Sequence, residues 1–154
     1  MKLVAVDYGL ARTGLAATDP DGILAYPLET LRLDSFPNRK AFLDALAQRV
    51  LAEKPDAVVV GLPLLSDGSD SLTTRQIRNV VKKLLHRIPV PIYLMEEYLS
   101  SEEAAWDLEE AGLKRSRRKA VLDQQAAVRI LESYLHSPSS AVPAQGDGFR
   151  ARQS

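Results

Sequence analysis

The spacing of hydrophobic and polar positions changes several times along the chain, and each change marks an element. Residues 3–6, Leu-Val-Ala-Val, form a short β-branched run that ends at Asp7, and Gly9 then breaks it. Residues 13–18 read as a second strand, Asp19-Pro20-Asp21-Gly22 as a turn, and residues 23–31 as a third extended run. Pro27 demotes that run to a sheet edge, because proline has no N–H to give to a ladder. The first third is thus expected to be an antiparallel meander. From Asn38 to Glu53 the period becomes helical, with Phe42, Ala45, Leu46 and Val50 set against polar positions such as Arg49, and Lys54-Pro55-Asp56 ends it. Residues 57–62 are apolar on both faces, as central parallel strands tend to be.

A broad apolar stripe (Leu72, Ile77, Val80, Val81, Leu84, Leu85) predicts a helix over about residues 70–86, and residues 90–95 read as another strand. Ser100 and Glu103 have the spacing of a capping box and open a helix that Gly112 ends near Ala111. A basic loop over 113–119 and a final helix to about Leu135 complete the pattern. The order βββ-α-β-α-β-α-α predicts an α/β fold, a mixed five-stranded sheet with helices on both faces. The whole chain has 154 residues, the size of one domain. We assign that domain to residues 1–136 and expect the Ser-, Pro-, Gly- and Gln-rich remainder, 137–154, to be a disordered tail.

Composition narrows the function. There is no cysteine, which excludes disulfides, thiolate catalysis and Cys-ligated zinc. No apolar run approaches the roughly 20 residues that cross a bilayer, and the start lacks a signal-peptide pattern. A soluble, cytoplasmic protein with no membrane partner is expected. The formal charge is zero, which by itself argues against a nucleic-acid partner, but the charge is unevenly placed. Residues 1–113 hold 12 basic and 17 acidic side chains, whereas residues 114–154 hold 8 and 3. An acidic metal site beside a basic gripping segment would give that asymmetry; so would an acidic domain with a solvated basic loop.

Three acidic positions carry the candidate chemistry. Asp7 closes the first strand, where a carboxylate of an α/β sheet faces the ligand crevice, although Asp and Gly also favour plain turns. Glu96-Glu97 follow a buried apolar strand. Asp123 lies near the start of the final helix, where an acid would also suit the helix dipole. Taken together, carboxylates converging from separate elements can hold two hard divalent ions, Mg²⁺ or Mn²⁺, for phosphodiester hydrolysis. Gly68 and Ser69, beyond the central strand, could offer amides or a hydroxyl to a phosphate. Lys114, Arg115, Arg117, Arg118 and Lys119 form the best nucleic-acid footprint, since clustered cations release counterions from any phosphate backbone. His86 and His136 are read as structural.

Four blocks, VAVDYGLARTGLAATDPDGILAYPLETL, VVVGLPLLSDGS, YLMEEYLSSEEA and VLDQQAAVRILESYL, closely resemble the motif blocks of the YqgF/RuvX family, in the expected order over residues 4–135. The resemblance implies an RNase H-like fold and a nuclease, acting in 5′-end maturation of 16S ribosomal RNA or on Holliday junctions and other structured DNA. It designates Asp7, Glu97 and Asp123 as the three metal-holding acids. It also marks Arg12, which we place with the substrate, Asp19, and the Gly61–Gly68 loop. One departure stands out: where the family reads Asp-Glu-Arg-Leu-Thr-Thr, residues 96–101 read Glu-Glu-Tyr-Leu-Ser-Ser, so Tyr98 replaces an arginine suited to phosphate. A catalytically silent nucleic-acid-binding module is disfavoured because all three acids are present, and length excludes an actin-like ATPase unless a second domain has been lost.

Overall fold

The computed structural model describes residues 1–65, 67–98 and 115–144. Strands β1 (Leu3–Tyr8), β2 (Arg12–Thr18) and β3 (Ala25–Arg32) form the expected meander. Helix α1 (Arg39–Ala52), β4 (Ala57–Leu64), α2 (Leu72–Leu85), β5 (Ile92–Tyr98), α3 (Arg115–His136) and β6 (Val142–Pro143) follow. The sheet runs β3-β2-β1-β4-β5-β6, with β1, β4 and β5 parallel and the others antiparallel. Pro27 lies on the edge strand, beside an irregularity in register at Leu15/Ala16. The helix predicted over residues 100–111 and Lys114 lie outside the described residues.

Local chemistry sets the helix ends. Asn38 caps α1 by accepting from the Ala41 amide at 2.8 Å. Lys54 then adopts a left-handed conformation (φ 53°), its amide donating back to Leu51, before Pro55 closes off any further turn. Ser71 and Thr74 form a reciprocal capping box at α2, and the Thr74 hydroxyl also donates to the Pro63 carbonyl at 2.5 Å.

Alternation along the strands divides the interior in two. Val4, Val6, Leu15, Val58, Val60, Leu62, Ile92 and Leu94 face α1 and α2 and make the larger core with Phe42, Leu46, Ile77 and Leu84. Leu3, Ala5, Ala16, Val59 and Met95 face α3 and pack on Ala127, Ile130 and Leu131.

Two expectations need correction. The basic segment is no loop from residue 115 onward: Arg115–Lys119 open α3, as lysine and arginine are good helix formers. The sheet has six strands because part of the expected tail is ordered. Residues 138–140 make a helical turn, Val142 and Pro143 pair with Leu94 and Tyr93, and Ala144 is fully buried. Its proline and serines suited an edge strand and a turn, where the composition reading saw only disorder.

Candidate active site

Asp7 and Glu97 are each the last-but-one residue of a strand, β1 and β5, and both strands end on the same side of the sheet. Parity fixes the faces. Asp7 alternates with Leu3 and Ala5, and Glu97 with Tyr93 and Met95, so both carboxylates belong to the α3 face. Glu96 takes the parity of Ile92 and Leu94, the opposite face. Asp123 reaches the same place from α3. It stands in the third turn of that helix, not near its start, so the helix dipole does not account for it.

Asp7 feels the other two acids. Burial, then the charges of Asp123 and Glu97, push the Asp7 carboxyl up to about 7. Glu97 is also raised by burial, with Arg129 pulling the other way. Arg12, at the start of β2, donates from Nε to a carboxylate oxygen of Asp123 at 2.9 Å, across 111 positions of sequence. Arg12 was expected to meet substrate; the structure puts it first against an acid.

Sequence reading missed what lets α3 lie so close. A Cβ on Gly14 would run into the carbonyl group of Asp123 and come within 2.9 Å of its Cβ. A Cβ on Gly61 would stand 2.5 Å from Ile130 Cδ1 and 4.0 Å from a Glu97 carboxylate oxygen. The available signal was glycine inside a strand pattern, which often marks close approach of another backbone.

Other expected positions have different employment. Gly68 (φ 85°) donates its amide to the Leu65 carbonyl, and both the amide and hydroxyl of Ser69 donate to Asp67 at 2.9 and 2.6 Å. Those donors are turned into their own loop rather than toward a ligand. Asp19, held below the ordinary carboxylate range by the Leu24 and Ile23 amides, shapes the β2–β3 turn at the other end of the sheet from the acids. Residues 115–119 extend α3 two turns upstream of Asp123.

The donor set is all carboxylate oxygen, the chemistry of a hard divalent cation, and the raised Asp7 marks a site short of positive charge. Among the described residues, no three acidic or histidine side chains stand close enough to cage an ion as they are. The Arg12 guanidinium supplies positive charge on Asp123 instead. The residues fit a divalent ion in kind and need rearrangement to enclose it. Among the described residues no helix is long and apolar enough to cross a membrane.

Comparison with known proteins identifies the family and the fold. A family model described as RuvX, Holliday junction resolvase, matches residues 1–137. Proteins named "Putative pre-16S rRNA nuclease" are similar over most of their length. The one from Oleidesulfovibrio alaskensis is 50% identical over 147 residues, 95% of this chain and 100% of the relative. The one from Lawsonia intracellularis is 47% identical over 140 residues, covering 91% and 96%. Among solved structures, RuvC of T. thermophilus in complex with a Holliday junction substrate superposes with a TM-score of 0.55 at 20% identity, over 93% of this chain and 99% of that one. The fold is RNase H-like.

Proposed function

The chain belongs to the RuvX family, and from that premise we propose that it is a metal-dependent nuclease whose Asp7, Glu97 and Asp123 form the reaction centre for hydrolysing nucleic-acid phosphodiester bonds. The observation that carries the reading is the convergence of the three carboxylates on one face from β1, β5 and α3, with Asp7 pushed up to about 7 by burial and the other two charges. Such a set costs stability unless something positive fills it. These three side chains would hold the divalent ions, Mg²⁺ or Mn²⁺, which supply water activation and stabilisation of the leaving oxygen when bound. The chain's own contribution is placement. Gly14 lets the Asp123 backbone seat against β2, and Arg12 holds Asp123 in orientation. The basic first turns of α3, Arg115–Lys119, continue from the same helix and would grip the phosphate backbone. We place the nuclease unit in residues 1–144, since β6 completes the sheet beside β5.

The relatives' names favour precursor 16S ribosomal RNA as substrate, consistent with a cytoplasmic enzyme. The family description favours a second reading, four-way DNA junctions. A cleavage panel decides. The purified protein is incubated with a precursor-type structured RNA, single-stranded DNA and a four-way junction, each with Mg²⁺ or Mn²⁺. Selective cleavage of the RNA is expected. Cleavage of the junction alone would favour the second reading, and cleavage of nothing under either metal would refute the nuclease.

A further inference from the structure

A cavity of about 340 Å³ opens at Arg12, the ion-pair partner of Asp123, lined also by Leu10 and Ala11 of the β1–β2 turn, by Arg32 at the end of β3 and by Leu33 and Asp34 just beyond it. Its size falls in the roughly 300–1,000 Å³ range of small-ligand sites. The rim is built rather than incidental, because the Leu33 amide donates to the Ala11 carbonyl at 2.9 Å and ties the two segments together.

Two features of this cavity are costly without a ligand. Arg12 and Arg32 are direct partners across the β2–β3 ladder, and like charges set opposite each other repel. Each is covered by an acid, Arg12 by Asp123 and Arg32 by Asp34, the latter at 3.0–3.2 Å in an exposed pair that water largely screens. Leu10 leaves 56% of its surface in solvent on a turn where a polar residue would be expected. An apolar wall beside two guanidiniums is matched by a planar apolar ring carrying a phosphate.

We propose that this cavity holds one unstacked nucleotide of the substrate, adjacent to the bond that is cut. The base lies against Leu10, Ala11 and Leu33, and its phosphate takes Arg32 from Asp34 at little cost. Arg12 belongs to both places, lining the cavity while touching Asp123, so a nucleotide seated there fixes the register of the neighbouring phosphate on the acids. Leucine is a side chain that proteins insert beside unstacked bases, and a single-stranded segment costs little to unstack. The inference rests on the nuclease reading and adds to it a preference for an unpaired residue next to the cut.

The test is an abasic scan. The full-length Asp7→Asn protein, unable to cut, is titrated with short single-stranded oligonucleotides in which one nucleotide at a time lacks its base. One position should weaken binding roughly tenfold, as loss of a base contact does. In the Asp7→Asn/Leu10→Glu protein that penalty should vanish, because the contact is already gone. Asp7→Asn/Arg32→Gln should bind all the oligonucleotides more weakly and with a shallower salt dependence. Leu10 and Arg32 are exposed, so equal melting temperatures serve as the folding control. A flat scan with intact binding, or a penalty that survives Leu10→Glu, overturns the nucleotide site while leaving the nuclease reading standing. Absence of binding to every oligonucleotide also overturns the nucleotide site, and the cleavage panel separately decides the nuclease reading.

Discussion

The two faces of the sheet are built to opposite specifications. Against α1 and α2 the strands present mostly Val, Leu and Ile, with Tyr8 and Ala17 among them, and these pack against Phe42, Leu46, Ile77 and Leu84. Against α3 the core is smaller, is seated partly by glycines, and gives way at the strand ends to Asp7, Glu97, Asp123 and Arg12. One face is optimised for burial. The other gives up apolar area and accepts like-charge repulsion in return for convergence, the usual signature of a site that is completed only when loaded.

The comparison breaks most visibly at Asp7. Asp7→Asn should lower cleavage by about a hundred- to a thousandfold, the scale on which an electrostatic group aimed at the reacting centre counts, with circular dichroism unchanged. Wild-type cleavage by that variant would remove the charged face from the mechanism. The mirror experiment is Leu46→Ala on the other face. It should cost about 2–5 kcal/mol in urea unfolding while leaving turnover per folded molecule alone. Gly14→Ala tests the seam, because its methyl meets the Asp123 backbone rather than a flexible side-chain end. Overpacking of that kind costs about 1–3 kcal/mol, and here it should also depress kcat, since Asp123 moves with the helix.

A smaller effect concerns pH. The folded Asp7 carboxyl is raised from 3.8 to about 7, so between those values the folded state binds a proton that the unfolded chain has released. Stability of the metal-free protein should therefore fall as pH rises from about 4 to about 7 and level off above. Asp7→Asn should flatten that slope and stabilise the metal-free fold at pH 8, by as much as a few kcal/mol. A steeper slope in the variant would contradict the burial argument. The smallest effect is on the basic turns of α3. Arg115, Arg117 and Arg118 replaced together by Ala should weaken binding on all sequences alike and flatten the log K versus log salt slope by about 0.7–0.9 per lost phosphate contact. Turnover at saturation should hold.

The meander, the central strand, both α1 and α2, and the placement of Asp7 at a strand end were readable from periodicity and turn chemistry alone. The choice between Glu96 and Glu97 was not, because parity decides it and parity has meaning only once β5 is registered on β4. The start of α3 was misplaced because a run of cations was read as solvated loop, although such residues extend helices readily. The ordered β6 was hidden because its pairing partner, β5, lies some fifty positions upstream. The employment of Gly68 and Ser69 escaped for the same reason at short range: polarity advertises donors and cannot say where they are already spent.

The ion pair between Arg12 and Asp123 also dictates the order in which the protein becomes able to act. Chains are synthesised from the N-terminus at about 5–20 residues per second, and contacts distant in sequence wait for their later partner. When β1 to β5 have emerged, two acids are present and the third is still to be made. α3 is the element that brings it, 111 positions after Arg12. A growing or truncated chain that ends before α3 therefore lacks the third carboxylate of the proposed site, whatever the rest has folded. Nuclease activity would begin only when the last helix docks, which spares the cell a partly made hydrolase.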